Sequence, residues 1–202
     1  MLHLSRPECH RLLDRCDKPL HDLVLAALYT GCRVTELMRI TAADVECDGP
    51  GIYIVPVKCY RPRFVFLPDE GLAFFRHLAR GKEPRDPLFF NGAGYTWSTY
   101  KYHFKQAVLA AGLPKEFCFH GLRHTYASQL IQAGAPVLVV SEQLGHRNCD
   151  KVIRTYGHMA PQVRLAEVRA RFTSLVSPPN DGMLFSYDEL RRQGRSLPDP
   201  CS

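Results

Sequence analysis

Several familiar signposts are missing from this sequence. No apolar run approaches the roughly 18 residues that cross a bilayer; the longest candidate, Leu20 to Tyr29, is interrupted by His21 and Asp22. The first residues, Met1-Leu-His-Leu-Ser-Arg-Pro-Glu8, lack a basic stretch followed by an apolar one, so no secretory signal is read there and the expected compartment is the cytoplasm. Neither GxxxxGK[ST] nor GxGxxG occurs, and no strand–helix–strand alternation appears, which argues against a parallel nucleotide-binding sheet. There is no internal repeat and no low-complexity segment. The eight cysteines form no CxxC pair and are irregularly spaced, so reduced, mostly buried thiols are expected rather than disulfides. A thiolate phosphatase loop needs five residues between cysteine and arginine. Cys118–Arg123 and Cys149–Arg154 have four, too few to aim amides and arginine at one phosphate.

What remains is an ordinary soluble composition. The 202 residues are 46% hydrophobic and 23% charged, which suits one domain, or one domain and a tail. The formal charge is +6. Residues 177–202 hold four acidic residues against three arginines, so that segment is −1 and the body before it is +7. A basic body is compatible with a polyanionic partner, though many basic proteins bind no nucleic acid.

Hydrophobic periodicity predicts a mainly α protein with one small antiparallel β-sheet, an α+β class. Ser5 and Glu8 make an N-terminal capping pair for a helix to about Cys16. Pro19 opens a second helix that Gly31 ends, and Arg33 to Ile40 reads as a short third. After the turn at Gly49-Pro50-Gly51, Ile52 and Ile54, then Phe64 and Phe66, alternate with their neighbours as two strands joined through Lys58 to Pro62. Helices are predicted over 69–80, 96–111, 121–133, 136–144 and 161–175, and a short helix or turn over 151–156. Residues 177–182 read as a linker, and one last short helix could start at Ser186.

The polar residues at the breaks carry the chemistry. Arg33 opens a helix after Thr30-Gly-Cys; Lys58 stands at the strand turn; His120 and Arg123 open a helix; His146 follows Leu144-Gly145; Tyr156 lies ten residues beyond it. These are parts for metal-free attack on a phosphodiester. The planar guanidinium gives a phosphate two parallel hydrogen bonds and keeps its charge, and helix starts add amides and a positive dipole end. Singly, each has a plainer explanation. Arg33 could pair with Glu36 on the surface. The Lys58 hairpin could be merely solvated. His146 could cap a helix, and an isolated tyrosine is most often a packed aromatic. His120 and His124 have ligand spacing, but Gly-Leu-Arg lies between them without an acidic partner, so no metal site is expected.

Order changes those odds. Thr30-Gly-Cys-Arg-Val-Thr-Glu-Leu37, Lys58 before Arg-Pro-Arg-Phe-Val-Phe-Leu67, His120-Gly-Leu-Arg-His-Thr125, Leu144-Gly-His146 and Thr155-Tyr-Gly-His158 together resemble the tyrosine recombinases, or phage integrase family, over about residues 5–172. The resemblance implies that family's catalytic-domain fold over residues 1–176, with a tail at 177–202. It implies a site-specific DNA recombinase that works without metal, ATP or other cofactor. Arg33 and Arg123 would clamp the scissile phosphate, and Tyr156 would attack it to form a 3′-phosphotyrosine. Lys58 would protonate the departing 5′-oxygen, His120 would assist at the tyrosine, and His146 would hydrogen-bond a phosphate oxygen. Glu36 would orient Arg33. Arg61 and Arg63 are expected to face DNA. The implied partner is double-stranded DNA, engaged by a homo-tetramer during synapsis, with a monomer allowed in free solution. Members typically carry an N-terminal DNA-gripping domain, whereas here the catalytic-type sequence starts within the first few residues, so that domain is expected to be absent. A non-catalytic DNA-binding remnant and a type IB topoisomerase-like relaxing enzyme are the competing expectations.

Overall fold

Local sequence rules set most of the helix ends. The computed structural model describes residues 2–45, 49–55, 62–89, 99–146 and 150–156, with the side chains of Lys151 and Tyr156 excepted. At the first helix, α1 (Arg6–Leu13), the Glu8 carboxylate accepts from the Ser5 backbone N–H at 2.8 Å and from its hydroxyl at 2.7 Å. Asp17 caps α2 (Lys18–Thr30) by accepting from Leu20 N, and α2 stops at Gly31 in the left-handed region, φ 61°. Arg33 is the extended residue before α3 (Val34–Leu37), and a 3-10 turn follows at Ala42–Asp44. The strands are β1 (Gly51–Ile54) and β2 (Arg63–Phe66), antiparallel, with Ile52 opposite Val65 and Ile54 opposite Arg63. Then come α4 (Asp69–Ala79), α5 (Tyr100–Ala110), α6 (His120–Gln132), α7 (Val137–Leu144) and α8 (Asp150–Tyr156). No described helix is long and apolar enough to cross a membrane.

The mainly α architecture with a two-stranded sheet is therefore as expected. Two details differ. Helices α1 and α3 are shorter than the periodicity suggests; α1 ends at Leu13, where Asp14 caps it, and α3 spans only Val34–Leu37. The larger difference is which face of β2 turns inward. Phe64 and Phe66 look like the core pair, yet Phe66 is 59% exposed, while Val65 is fully buried. Directly paired residues point to the same side of a sheet. With Ile52 and Ile54 fully buried, their partners Val65 and Arg63 must point inward too. The aromatic rings stack on the outer face instead, Tyr53 on Phe64 and Phe64 on Phe66, each at 5.1 Å between centroids.

The core forms around α2, which buries Leu20, Leu23, Val24, Ala26 and Ala27 and packs on α1, α3, α4, α5 and α6. A smaller cluster of Ala127, Ile131, Val140, Leu144 and Val152 ties α6, α7 and α8 together. Val152 is the buried residue that seats α8, the helix ending at Tyr156. All described residues fall in one compact unit, residues 1–165. The expected helix over 161–175 and the tail from 177 lie outside the described residues, as do Lys58 and Arg61.

Candidate functional site

Three chain breaks meet at the end of α2. Gly31 has a left-handed backbone, and a Cβ there would collide with the Tyr126 ring of α6. Glycine thus permits both the turn and the close approach of α6. The turn is tied down by Thr30, whose hydroxyl donates to Ala26 O and accepts from Cys32 N. It presents the Gly31 carbonyl to Arg123, whose Nη1 donates to it at 2.8 Å.

Arg123 is buried, 3% exposed, one turn into α6. Its Nη2 donates to Leu144 O at 2.6 Å, and the same nitrogen lies 3.1 Å from His146 Nε2. Arginine has donors only, so in this contact His146 Nε2 is the acceptor. Burial, then the like charge of Arg33, lowers the Arg123 pKa to about 10. It stays charged at neutral pH, with its hydration replaced by two backbone carbonyls and a histidine.

Arg33, with a side chain 26% exposed, donates from Nη1 to Glu36 Oε1 at 3.1 Å, and its backbone N–H donates to Glu36 Oε2 at 2.8 Å. The surface pairing at i,i+3 that the sequence allowed is real, but it is anchored on a buried carboxylate. Glu36 also accepts from Arg63, Nη1 to Oε1 at 3.1 Å and Nη2 to Oε2 at 2.9 Å. Burial alone would raise the Glu36 carboxyl; the hydrogen bonds and charge of Arg63, then those of Arg33, outweigh it and hold the pKa below the ordinary carboxylate value. Two guanidiniums hold one carboxylate and a third, Arg123, lies close enough to feel its charge, so this cluster carries a surplus of positive charge with its accessible edge at Arg33. Such a surplus favours a bound anion.

Arg63 departs from expectation. Its side chain is 9% exposed and faces the protein rather than a DNA-binding exterior, because β2 register turns it to the Ile54 side. Its Nε donates to Gln143 O at 3.0 Å, and its Nη2 reaches Cys32 Sγ at 3.4 Å. Sequence reasoning also missed the carbonyls of Gly31, Gln143 and Leu144, which no side-chain motif can reveal. Burial raises the Cys32 thiol pKa, so this cysteine beside Arg33 is a neutral packing thiol. Cys118, by contrast, is exposed.

His120 is the exposed first residue of α6, its ring edge-on to His124 at 4.9 Å. With Arg33 it lines a cavity of about 600 Å³ whose floor is Phe104, Phe117 and Phe119 and whose rim carries Lys101, Lys105 and Lys115. The structure thus brings Arg33, Arg123 and His146 into one network and sets His120 on a cavity shared with Arg33. Tyr156 ends α8, with its side chain outside the described set. Among the described residues no group of three or more His, Cys, Asp or Glu is placed to hold a metal ion.

Comparison with known proteins gives a consistent picture. The profile described as the phage integrase family matches residues 3–162. A tyrosine recombinase of Thermosipho africanus is 31% identical over 142 residues, covering 70% of this chain and 50% of that protein. The solved catalytic domain of bacteriophage HP1 integrase superposes with a TM-score of 0.67 at 31% identity, covering 89% of this chain and 99% of that one. The Tn1549 transposon integrase, solved in complex with circular intermediate DNA, shares the fold at a TM-score of 0.68 and 21% identity, covering 84% of this chain and 66% of that one. The chain spans about half the length of the curated relatives it matches.

Proposed function

The chain belongs to the phage integrase family, and on that premise we propose that it cleaves and rejoins double-stranded DNA at specific sites. It acts as a site-specific recombinase or the catalytic domain of one. The observation that carries this reading is the convergence of Arg33, Arg123 and His146, from three distant stretches, on one buried, positively charged network.

The chemistry is a transesterification. The Tyr156 hydroxyl attacks the scissile phosphorus, and a P–O(Tyr) bond forms as the P–O5′ bond breaks. The phenol proton passes toward His120, and Lys58 supplies the proton that the departing 5′-oxygen takes up. Arg33 and Arg123 clamp the phosphate and stabilise the charge that grows on its oxygens, with His146 adding a hydrogen bond. Mutual repulsion between the two guanidiniums, felt in the lowered Arg123 pKa, is relieved when an anion joins them. One phosphodiester replaces another, so the bond energy is kept. A second 5′-hydroxyl then reverses the step without ATP or metal.

Arg61, in the basic hairpin with Lys58, contacts DNA phosphates in this proposal. Arg63 is withdrawn from that role, since its guanidinium is turned onto Glu36. Four copies assemble on two paired sites, and the protein works in the cytoplasm.

Incubation with nicked suicide duplexes of randomised sequence tests the reading. We expect wild-type protein to become covalently attached to a subset of duplexes, and Tyr156→Phe to abolish attachment. Attachment that persists unchanged in the variant overturns the assigned nucleophile. Salt-sensitive binding without any attachment would mark a non-catalytic remnant instead.

A further inference from the structure

We infer that Arg63 is a positioning residue, resting on the reading above, which locks Arg33 and His146 into one frame from the strand that follows Lys58. Four observations meet on this side chain. Its two terminal nitrogens hold both oxygens of the buried Glu36 carboxylate at 3.1 and 2.9 Å, and Glu36 in turn holds Arg33 through its side chain and its backbone N–H. Its Nε donates at 3.0 Å to Gln143 O, in the last turn of α7. Arg123 takes the next carbonyl, that of Leu144, so two guanidiniums grip adjacent last-turn carbonyls at the helix end from which His146 emerges. Finally, Gly145 has a left-handed backbone, φ 66°, and a Cβ there would stand 2.9 Å from Arg63 Nη1. The glycine before His146 is therefore shaped around this guanidinium.

Arg63 spends its planar fork on fixed protein acceptors. That is the use for which arginine is better suited than lysine, which offers a point charge and no parallel donors. Its position also fastens the first residue of β2 to α3 and α7. In this geometry one strand residue sets the place of a phosphate-clamping arginine on one side and of a histidine turn on the other.

The test uses the full chain, with Arg63→Met and Arg63→Lys, Glu36→Gln alone and combined with Arg63→Met, and the exposed Arg76→Met as control. The substrate is a nicked duplex recovered from the randomised pool by wild-type attachment. At saturating DNA we expect the single-turnover attachment rate to fall by about 10–100-fold in Arg63→Met, as for a small misplacement of reacting groups. The DNA dissociation constant should stay within about twofold, because no phosphate contact is lost. The Glu36→Gln and Arg63→Met losses should not multiply in the double variant, because both act through the same carboxylate. In protein labelled with 15N arginine and histidine, the Arg33 Nε–H and His146 ring signals should shift in both Arg63 variants and not in Arg76→Met.

Weakened DNA binding with an unchanged saturating rate overturns the inference and makes Arg63 a DNA contact. A lower melting temperature with unchanged rate per folded molecule and unmoved Arg33 and His146 signals makes it ordinary packing, and also overturns it. If Arg63→Met does not fold, Arg63→Lys carries the same comparisons. If wild-type protein attaches to no duplex, the recombinase reading fails, and the Arg33 and His146 signals still decide whether Arg63 positions them.

Discussion

A single buried carboxylate organises the positive charge of this molecule. Glu36 takes four N–H donors, two from Arg33 and two from Arg63. Its folded pKa lies below the ordinary 4.5, so the unfolded chain binds its proton first as pH falls. The stability Glu36 contributes is thus fully present above about pH 4.5 and drains away as pH drops toward the folded value. Urea titrations of wild type and Glu36→Gln between pH 3 and 7 should show a steeper acid loss in wild type; parallel curves would contradict this. Arg123→Lys should retain charge but cannot reach Gly31 O, Leu144 O and His146 together. We expect the attachment rate to fall by about 10²–10³-fold, measured by single-turnover trapping. The residue types proposed for the site and their order could be listed from the sequence because phosphodiester chemistry restricts them to Arg, Lys, His and Tyr. The environment of each could not be read there. Glu36 was visible as a neighbour of Arg33 at i,i+3, whereas Arg63 was misassigned to the exterior. Its partners Glu36 and Gln143 lie 27 and 80 residues away, and no local signal joins them.

Turns and helix ends deliver these side chains. Gly31 is required twice over, by its positive φ and by the Tyr126 ring that a methyl group would strike. Gly31→Ala should cost at least about 1–2 kcal/mol from the left-handed backbone alone, read as a shift in the urea midpoint. Leu144, fully buried, joins α7 to the small cluster that seats α8 through Val152. Leu144→Ala should cost about 2–5 kcal/mol. It should slow attachment as well, because the carbonyl of residue 144 holds Arg123. A midpoint within about 0.5 kcal/mol of wild type would show that this cluster is not packed as described. Capping chemistry made some helix ends readable: Ser5 with Glu8 before α1, and Gly31 after α2. The inward face of β2 was harder. Val65 and two phenylalanines are all apolar, so period-two alternation cannot choose a face. The choice is made by pairing with β1, where Ile52 and Ile54 leave no doubt.

At the scale of the molecule, a basic body of +7 before residue 177 suits the DNA partner proposed above. Binding to duplex DNA should weaken with salt, log–log slope falling by about 0.9 for each phosphate neutralised; fluorescence anisotropy at several salt concentrations reads it. A flat response would contradict a DNA-facing cation cluster. The account stands or falls on one bond. Protein attached to DNA, digested with trypsin and nuclease, should yield a nucleotide mass on the peptide containing Tyr156, with fragmentation placing it on that phenol. An adduct on any other residue, or none from attached protein, would contradict the assignment of this site as a DNA phosphotyrosyl centre.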